Sequence, residues 1–420
     1  MRSTEELSFD PCLPYQEPNE FQEAWCRLLK NPKLIEQVSR IFPNLDLKGL
    51  TRESRGLGSA EDFQRRVISR VVAELEEQTT DGLSVSGLEN LSSDLKYVIL
   101  SNHRDIICDP AWVAYIFFLN QLATPKICLG DNLLSHPVMV DLVKMNKGIT
   151  VKRGLPPRDL LAWSGLLSSV IHGQVVEKMD SVWIAQREGR AKDGDDRTQS
   201  GVLKMLSLAG DGTLLENLEK LHILPLAISY EFDPCDSLKA YELFLTAREG
   251  HYSKVPGEDA QSMMNGILGF KGRVHLSFCA DLSSILSDEM TRLSQNKKEI
   301  LQYFCSQIDR QIHSQYRLWP SHWIAYDLLE RAERFAENYS SVQKAFFTER
   351  LENQLDLLRT WSPRPELRSD GGMSSEDRAE VRRRILEAYA MPVKNYLAVS
   401  GLNSSERFSF SDQENIHTAF

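Results

Sequence analysis

The 420-residue chain has no C-x-x-C pair, no bilayer-length apolar run and no excess of positive charge. Each absence excludes something. Its seven cysteines (Cys12, Cys26, Cys108, Cys128, Cys235, Cys279, Cys305) are scattered and odd in number. They suggest neither a disulfide framework nor a zinc cage, so a reducing compartment is expected. The 49 Lys and Arg are outnumbered by 59 Asp and Glu, for a formal net charge of -10. That argues against a general nucleic-acid binder, which needs a basic surface to neutralise phosphates. The longest apolar stretch, Ala111 to Leu119, is about half of what a membrane-spanning helix requires. The opening MRSTEELSFDPCLP is charged and lacks the apolar core of a signal peptide. What remains is an ordinary globular composition, 42% hydrophobic and 26% charged, in a chain long enough to bury a core without staples.

Three zones follow from the hydrophobic period. Residues 1–85 carry apolar positions at three-and-four spacing (Phe21, Trp25, Leu28, Leu29; Phe63, Val67, Val71, Val72, Leu75), which predicts a helical N-terminal region. Over 86–285 short aliphatic runs alternate with helical stretches. The runs are Lys96–Leu100, Lys126–Leu129, Gly148–Val151, Ser181–Ala185, Ile223–Ser229 and Arg273–Phe278. Strands alternating with helices predict an α/β domain with a largely parallel or mixed sheet flanked by helices. Residues 286–420 return to helical spacing, with a Pro/Gly/Ser loop at 362–375 and a polar, frayed tail from Ser400.

In open α/β sheets chemistry gathers beyond the carboxyl ends of the strands. Four features fall there. The run Lys96–Leu100 leads into Ser101-Asn102-His103-Arg104-Asp105-Ile106-Ile107-Cys108-Asp109, an imidazole with carboxylates two and six residues on. That suits either a general base oriented by an acid or a structural histidine. Gly148–Arg153 is a short strand ending in Lys152-Arg153, a fork suited to phosphate or simply a solvated strand end. Trp183-Ile184-Ala185-Gln186-Arg187-Glu188-Gly189-Arg190 ends abruptly in charge. In Ile223–Ile228, Pro225 forfeits a ladder hydrogen bond, marking an edge, a bulge or a site-facing position.

Taken in order, these blocks resemble the glycerolipid acyltransferase superfamily. Its pattern is His-x4-Asp, Gly-x-x-aliphatic-x-Arg, a Glu-Gly block and aliphatic-Pro-aliphatic. The strings SNHRDI and QREGR followed by KDG resemble a bacterial subgroup. The resemblance implies transfer of a fatty acyl group from acyl-CoA or acyl-carrier protein to glycerol 3-phosphate or its 1-acyl derivative. His103 would be the general base, Arg153 would bind the acceptor's phosphate with Glu188 and Gly189 nearby, and Pro225 would shape the acyl groove. No cofactor or metal is called for beyond the thioester co-substrate, and no nucleophilic Ser or Cys is needed. Backbone N–H groups near His103 are expected to hold the oxyanion.

Two departures stand out. The family's aspartate position is Cys108 here, so the partner of His103 is Asp109 or Asp105, with Asp109 closer to the family separation. Arg187 replaces a usual proline, and Arg190 stands where a small hydroxyl residue is common; both add charge suited to a phosphorylated acceptor. A lipid product implies a cytoplasmic protein, peripheral at the inner face of the cytoplasmic membrane. Ala111–Leu119 and Trp319–Trp323 are its candidate contacts, set against ordinary core packing. A different lysolipid acceptor, or a lipid- or carrier-binding protein weakened by the shifted motif, remains open.

Overall fold

The computed structural model describes residues 13–283, 296–361, 364, 367 and 373–401. The charged opening segment to residue 12 and the polar tail after Gly401 lie outside the described residues, as does most of the loop at 362–375.

Seven strands form one mixed sheet: β1 (Leu83–Ser86), β2 (Val98–Ser101), β3 (Lys126–Gly130), β4 (Gly148–Val151), β5 (Val182–Ala185), β6 (Ile223–Tyr230) and β7 (Val274–Phe278). Their spatial order is β1-β7-β6-β2-β5-β3-β4. The five strands from β6 to β4 are mutually parallel, so their carboxyl ends share one edge. The helices that parallel crossovers demand are present, among them Cys108–Leu119, Pro137–Met145 and Pro157–Val176. β7 returns antiparallel to β6, and β1 runs alongside β7.

Helices cover both faces, and this is why the central strands are apolar throughout. Every residue of β2, β6 and β7 is buried, as strands packed on two sides must be. The alternation of Cβ direction divides β2 between two cores. Val98 and Leu100 join Leu167, Phe304 and Ile308 on one face. Ile99 joins Trp112, Phe117 and Leu276 on the other. β1 is different: it alternates half-buried and exposed residues at the sheet's margin, and its Ser-Val-Ser pattern gives little hydrophobic signal.

Helices precede and follow the sheet. Phe21, Leu28, Leu50 and Phe63 form a core of the N-terminal helices that also takes in Met145. Pro320–Glu330, Ser341–Trp361 and Ser375–Ser400 pack with Asp236–Glu249 around Phe347, Leu351, Leu355 and Tyr389. Their starts follow local rules: proline opens the first of these, and Ser374 caps the last through Asp377 N–H.

Of the two stretches considered as membrane contacts, Trp319–Trp323 lies in the interior and Ala111–Leu119 does so on one face, with Leu119 exposed. Trp112, Val113, Ile116 and Phe117 are buried in the sheet-facing core, and Trp319 through Trp323 are buried as well. No helix among the described residues is long and apolar enough to cross a membrane.

Candidate active site

β2 is the middle strand of the sheet, and the turn after it carries His103. Its ring Nδ1 lies 2.8 Å from Asp109 Oδ2, with the histidine side chain 14% exposed and the aspartate fully buried. The carboxylate partner is therefore Asp109, which sits in the first turn of the helix Cys108–Leu119. The longer separation in sequence is absorbed by the turn at Ile106–Ile107.

Asp105 has a different task. Its Oδ1 accepts the N–H groups of Ile107 (2.9 Å) and Cys108 (2.8 Å), seating the free N–H groups at the helix start. In return Asp109 Oδ2 accepts the N–H groups of Arg104 (2.6 Å) and Asp105 (3.0 Å). The two carboxylates thus lock the loop reciprocally. These four backbone donors are consumed by the lock, so they are not free to stabilise an oxyanion.

Neighbouring strands fix the rest of the turn. Asn102 bonds to Ile228 of β6 through both its carbonyl (2.7 Å) and its amide (3.0 Å), extending the ladder by a side chain. The imidazole stands edge-on to Trp183 of β5, with ring centroids 5.8 Å apart. Trp183 in turn donates to Ser101 Oγ at 3.0 Å. Arg104 is buried and paired with Asp196 at 2.5 Å, and Lys239 donates to the Arg104 carbonyl. The remaining ring nitrogen of His103, Nε2, makes no hydrogen bond among the described residues, and the side chain is 14% exposed.

The arginine-bearing tips lie along the same edge. Ala191 N–H donates to the His103 carbonyl at 2.9 Å, which brings Arg190 beside the histidine. Gly189 turns the chain there with φ +73° and open space where a side chain would begin. Arg187 and Arg190 are half-buried, and Arg187 Nε and Arg190 Nη1 have no hydrogen-bond partner. Arg187 Nη1 donates to the Asp195 carbonyl at 3.3 Å. Glu188 is exposed, its N–H bonded to Gln199. Arg153, also exposed, follows β4, three strand spacings or roughly 14 Å from β2. Its guanidinium leans back over β3: a Cβ placed on Gly130 would stand 2.6 Å from Arg153 Nε.

The structure therefore brings together His103, Asp109, Arg187, Glu188, Gly189 and Arg190, with Arg153 reaching in from the side. It does not bring Pro225 to this edge. Pro225 is buried in an interior strand, paired with Leu100. Its carbonyl accepts Cys279 N–H at 2.9 Å, just beyond the Leu226–Phe278 pair that begins the antiparallel ladder. A residue's N–H and C=O point to the same side of a strand, so the donor that proline lacks would face Cys279, and the ladder between β6 and β7 stops where that bond cannot be returned. Pro225 thus marks neither a sheet edge nor a surface position.

Sequence reasoning passed over Tyr230, whose hydroxyl donates to Asp109 Oδ1 at 2.8 Å, and Gly130. The signal for the first was a lone hydroxyl-bearing aromatic closing an apolar strand. Cys108 is buried, and burial, with Asp105 adding to it, raises its thiol well above the usual range. It is no thiolate nucleophile.

Residues 82–229 match the family model described as Acyltransferase. No curated protein matches the chain. Among solved structures, it is similar to the 1-acyl-sn-glycerophosphate (LPA) acyltransferase PlsC from Thermotoga maritima. That similarity is 14% identity over 70% of this chain and 93% of the other, at a TM-score of 0.35.

Proposed function

We propose that this chain, whose residues 82–229 match the Acyltransferase family model, is a glycerolipid acyltransferase that moves a fatty acyl group from a thioester to a phosphorylated glycerol. The donor is acyl-CoA or acyl-carrier protein, and the acceptor is glycerol 3-phosphate or its 1-acyl derivative. The observation that carries this reading is the pairing of His103 with fully buried Asp109, its second ring nitrogen left available beside arginines from neighbouring strand tips.

The chemistry follows from that arrangement. Asp109 accepts the Nδ1 proton, fixing the tautomer with a basic Nε2. Nε2 takes the proton of the acceptor hydroxyl as its oxygen attacks the thioester carbonyl. The tetrahedral intermediate collapses, the C–S bond breaks, and the leaving thiolate regains the proton from the imidazolium. The imidazolium exists only between these steps, and the Asp109 charge stabilises it there. Arg153, Arg187 and Arg190 supply positive charge for the acceptor's phosphate, with Glu188 and Gly189 bordering that end. No cofactor enters the scheme. Mass-detected acyl transfer tests it: His103→Ala is expected to lose roughly 10²- to 10⁴-fold in rate, and full activity in that variant would remove His103 as the base.

Peripheral contact with a cytoplasmic membrane face is the expected setting. Its support comes from exposed Leu160 and Leu161 beside Arg158, at the start of the helix that follows β4. Apolar side chains flanked by a cation suit an anionic interface. The wild type should float with anionic vesicles and Leu161→Glu should float less; wild-type protein left wholly in solution would exclude this contact.

A further inference from the structure

Asp109 receives more hydrogen bonds than orienting one imidazole requires. Three donors meet Oδ2: His103 and the N–H groups of Arg104 and Asp105. Among the described residues Oδ1 has a single donor, the Tyr230 hydroxyl at 2.8 Å, in a pair of side chains buried to 0% and 3% exposure. We infer that Tyr230 is a positioning residue that sets the proton affinity of His103 through Asp109. This rests on the acyltransferase reading only insofar as His103 is the base.

The argument begins with the carboxylate. A charge with no water around it depends on its few donors, and removing one leaves an unsatisfied oxygen whose charge is expressed elsewhere. Here the remaining outlet is the bond to His103. A less satisfied Asp109 holds the imidazolium more strongly, raising the pH at which the ring loses its proton. Tyr230 therefore keeps His103 neutral, and able to act as a base, at lower pH. Its own proton is secure: burial, and then the Asp109 charge, push the phenol well above its ordinary range.

The surrounding charges do not replace this donor. Within the turn, Arg104 is bound to Asp196 and Asp105 caps the helix start, while Cys108 Sγ meets the Gly266 carbonyl. Beyond β6, Lys239 is committed to Asp233 and the Arg104 carbonyl. Ahead of β7, Lys271 donates to Thr79 and the Gly269 carbonyl. Arg190, after β5, feels the Asp105 and Asp233 carboxylates, which favour its charged form. Tyr316, after the helix Lys297–Gln315, lies under the Arg104 guanidinium. The titrating centre is thus the His103–Asp109 pair with Tyr230 as its one tunable donor, and any observed value belongs to the pair.

The test follows the His103 ring resonances and the pH profile of kcat/KM in the full-length protein, with fold checked by circular dichroism. In Tyr230→Phe, the ring titration and the acidic limb are both expected to move up by about one pH unit. On the acidic limb kcat should fall up to about ten-fold, while on the plateau kcat and both KM values stay within about two-fold. Fluorotyrosine incorporated at position 230, a stronger donor of nearly the same shape, should shift the same titration down. This second substitution decides the matter if the phenylalanine variant does not fold. An unmoved His103 titration in a folded variant overturns the inference, whatever happens to kcat. If the wild type transfers no acyl group yet its ring titration responds in both directions, the coupling stands and the acyltransferase reading is what fails.

Discussion

The two halves of the candidate site are built on opposite plans. At the tip of β2, the two carboxylates of the His103–Asp109 turn tie the loop together, taking four backbone N–H groups, a ring nitrogen and a phenol. At the tips of β5 and β4, Arg187 and Arg190 keep unpartnered guanidinium nitrogens, and Arg153 lies exposed across a glycine. A group that moves a proton must be placed before substrate arrives, because misplacement is charged directly to the barrier. Groups that recognise an anion are completed by the anion itself. The comparison teaches that the first half should fail in kcat and the second in KM.

Asp109→Asn gives the largest break. The amide oxygen can keep facing His103 and the two backbone donors, while its NH₂ meets a Tyr230 hydroxyl free to accept instead. Geometry survives and charge does not. We expect kcat to fall roughly a hundred-fold or more with little change in either KM. Asp105→Asn is the control, since one acceptor oxygen suffices to cap Ile107 and Cys108; activity within about two-fold of wild type is expected. A large loss in Asp105→Asn with Asp109→Asn near normal would reverse the assignment of the two carboxylates.

This contrast also explains what the sequence disclosed. Fully buried strands announced themselves as aliphatic runs, so β2 through β7 were legible, whereas β1 was hidden because two of its four residues are serines facing His275. His103 and the arginines could be found because they sit in linear order just past such runs. Tyr230 lies 121 positions from Asp109, and nothing local in its strand reports that contact. Pro225 misled for a related reason: that its strand lies inside the sheet, between β7 and β2, is a tertiary fact. What the two apolar stretches pack against was equally out of reach, since Trp112 and Trp323 show apolar character in sequence but not their neighbours.

The recognition half yields smaller and more selective effects. Arg153→Ala should raise the KM for the acceptor roughly ten-fold, leaving kcat and the donor's KM nearly unchanged. Equal effects on both substrates would place Arg153 elsewhere in the reaction. Gly130→Ala sharpens this further without removing any charge. Its φ of -70° suits alanine, so the backbone is not strained, but the new methyl would stand 2.6 Å from Arg153 Nε and 2.5 Å from Asn132 Oδ1. Both obstacles are ends of side chains near the surface, which can swing away at little cost to stability. The guanidinium is then displaced from β3, away from His103, although it keeps its charge. A rise of a few-fold in acceptor KM, with thermal stability within about 0.5 kcal/mol of wild type, is expected in a steady-state assay paired with denaturant unfolding. An unchanged KM in Gly130→Ala beside a raised one in Arg153→Ala would mean that long-range charge, rather than the position over β3, is what Arg153 contributes.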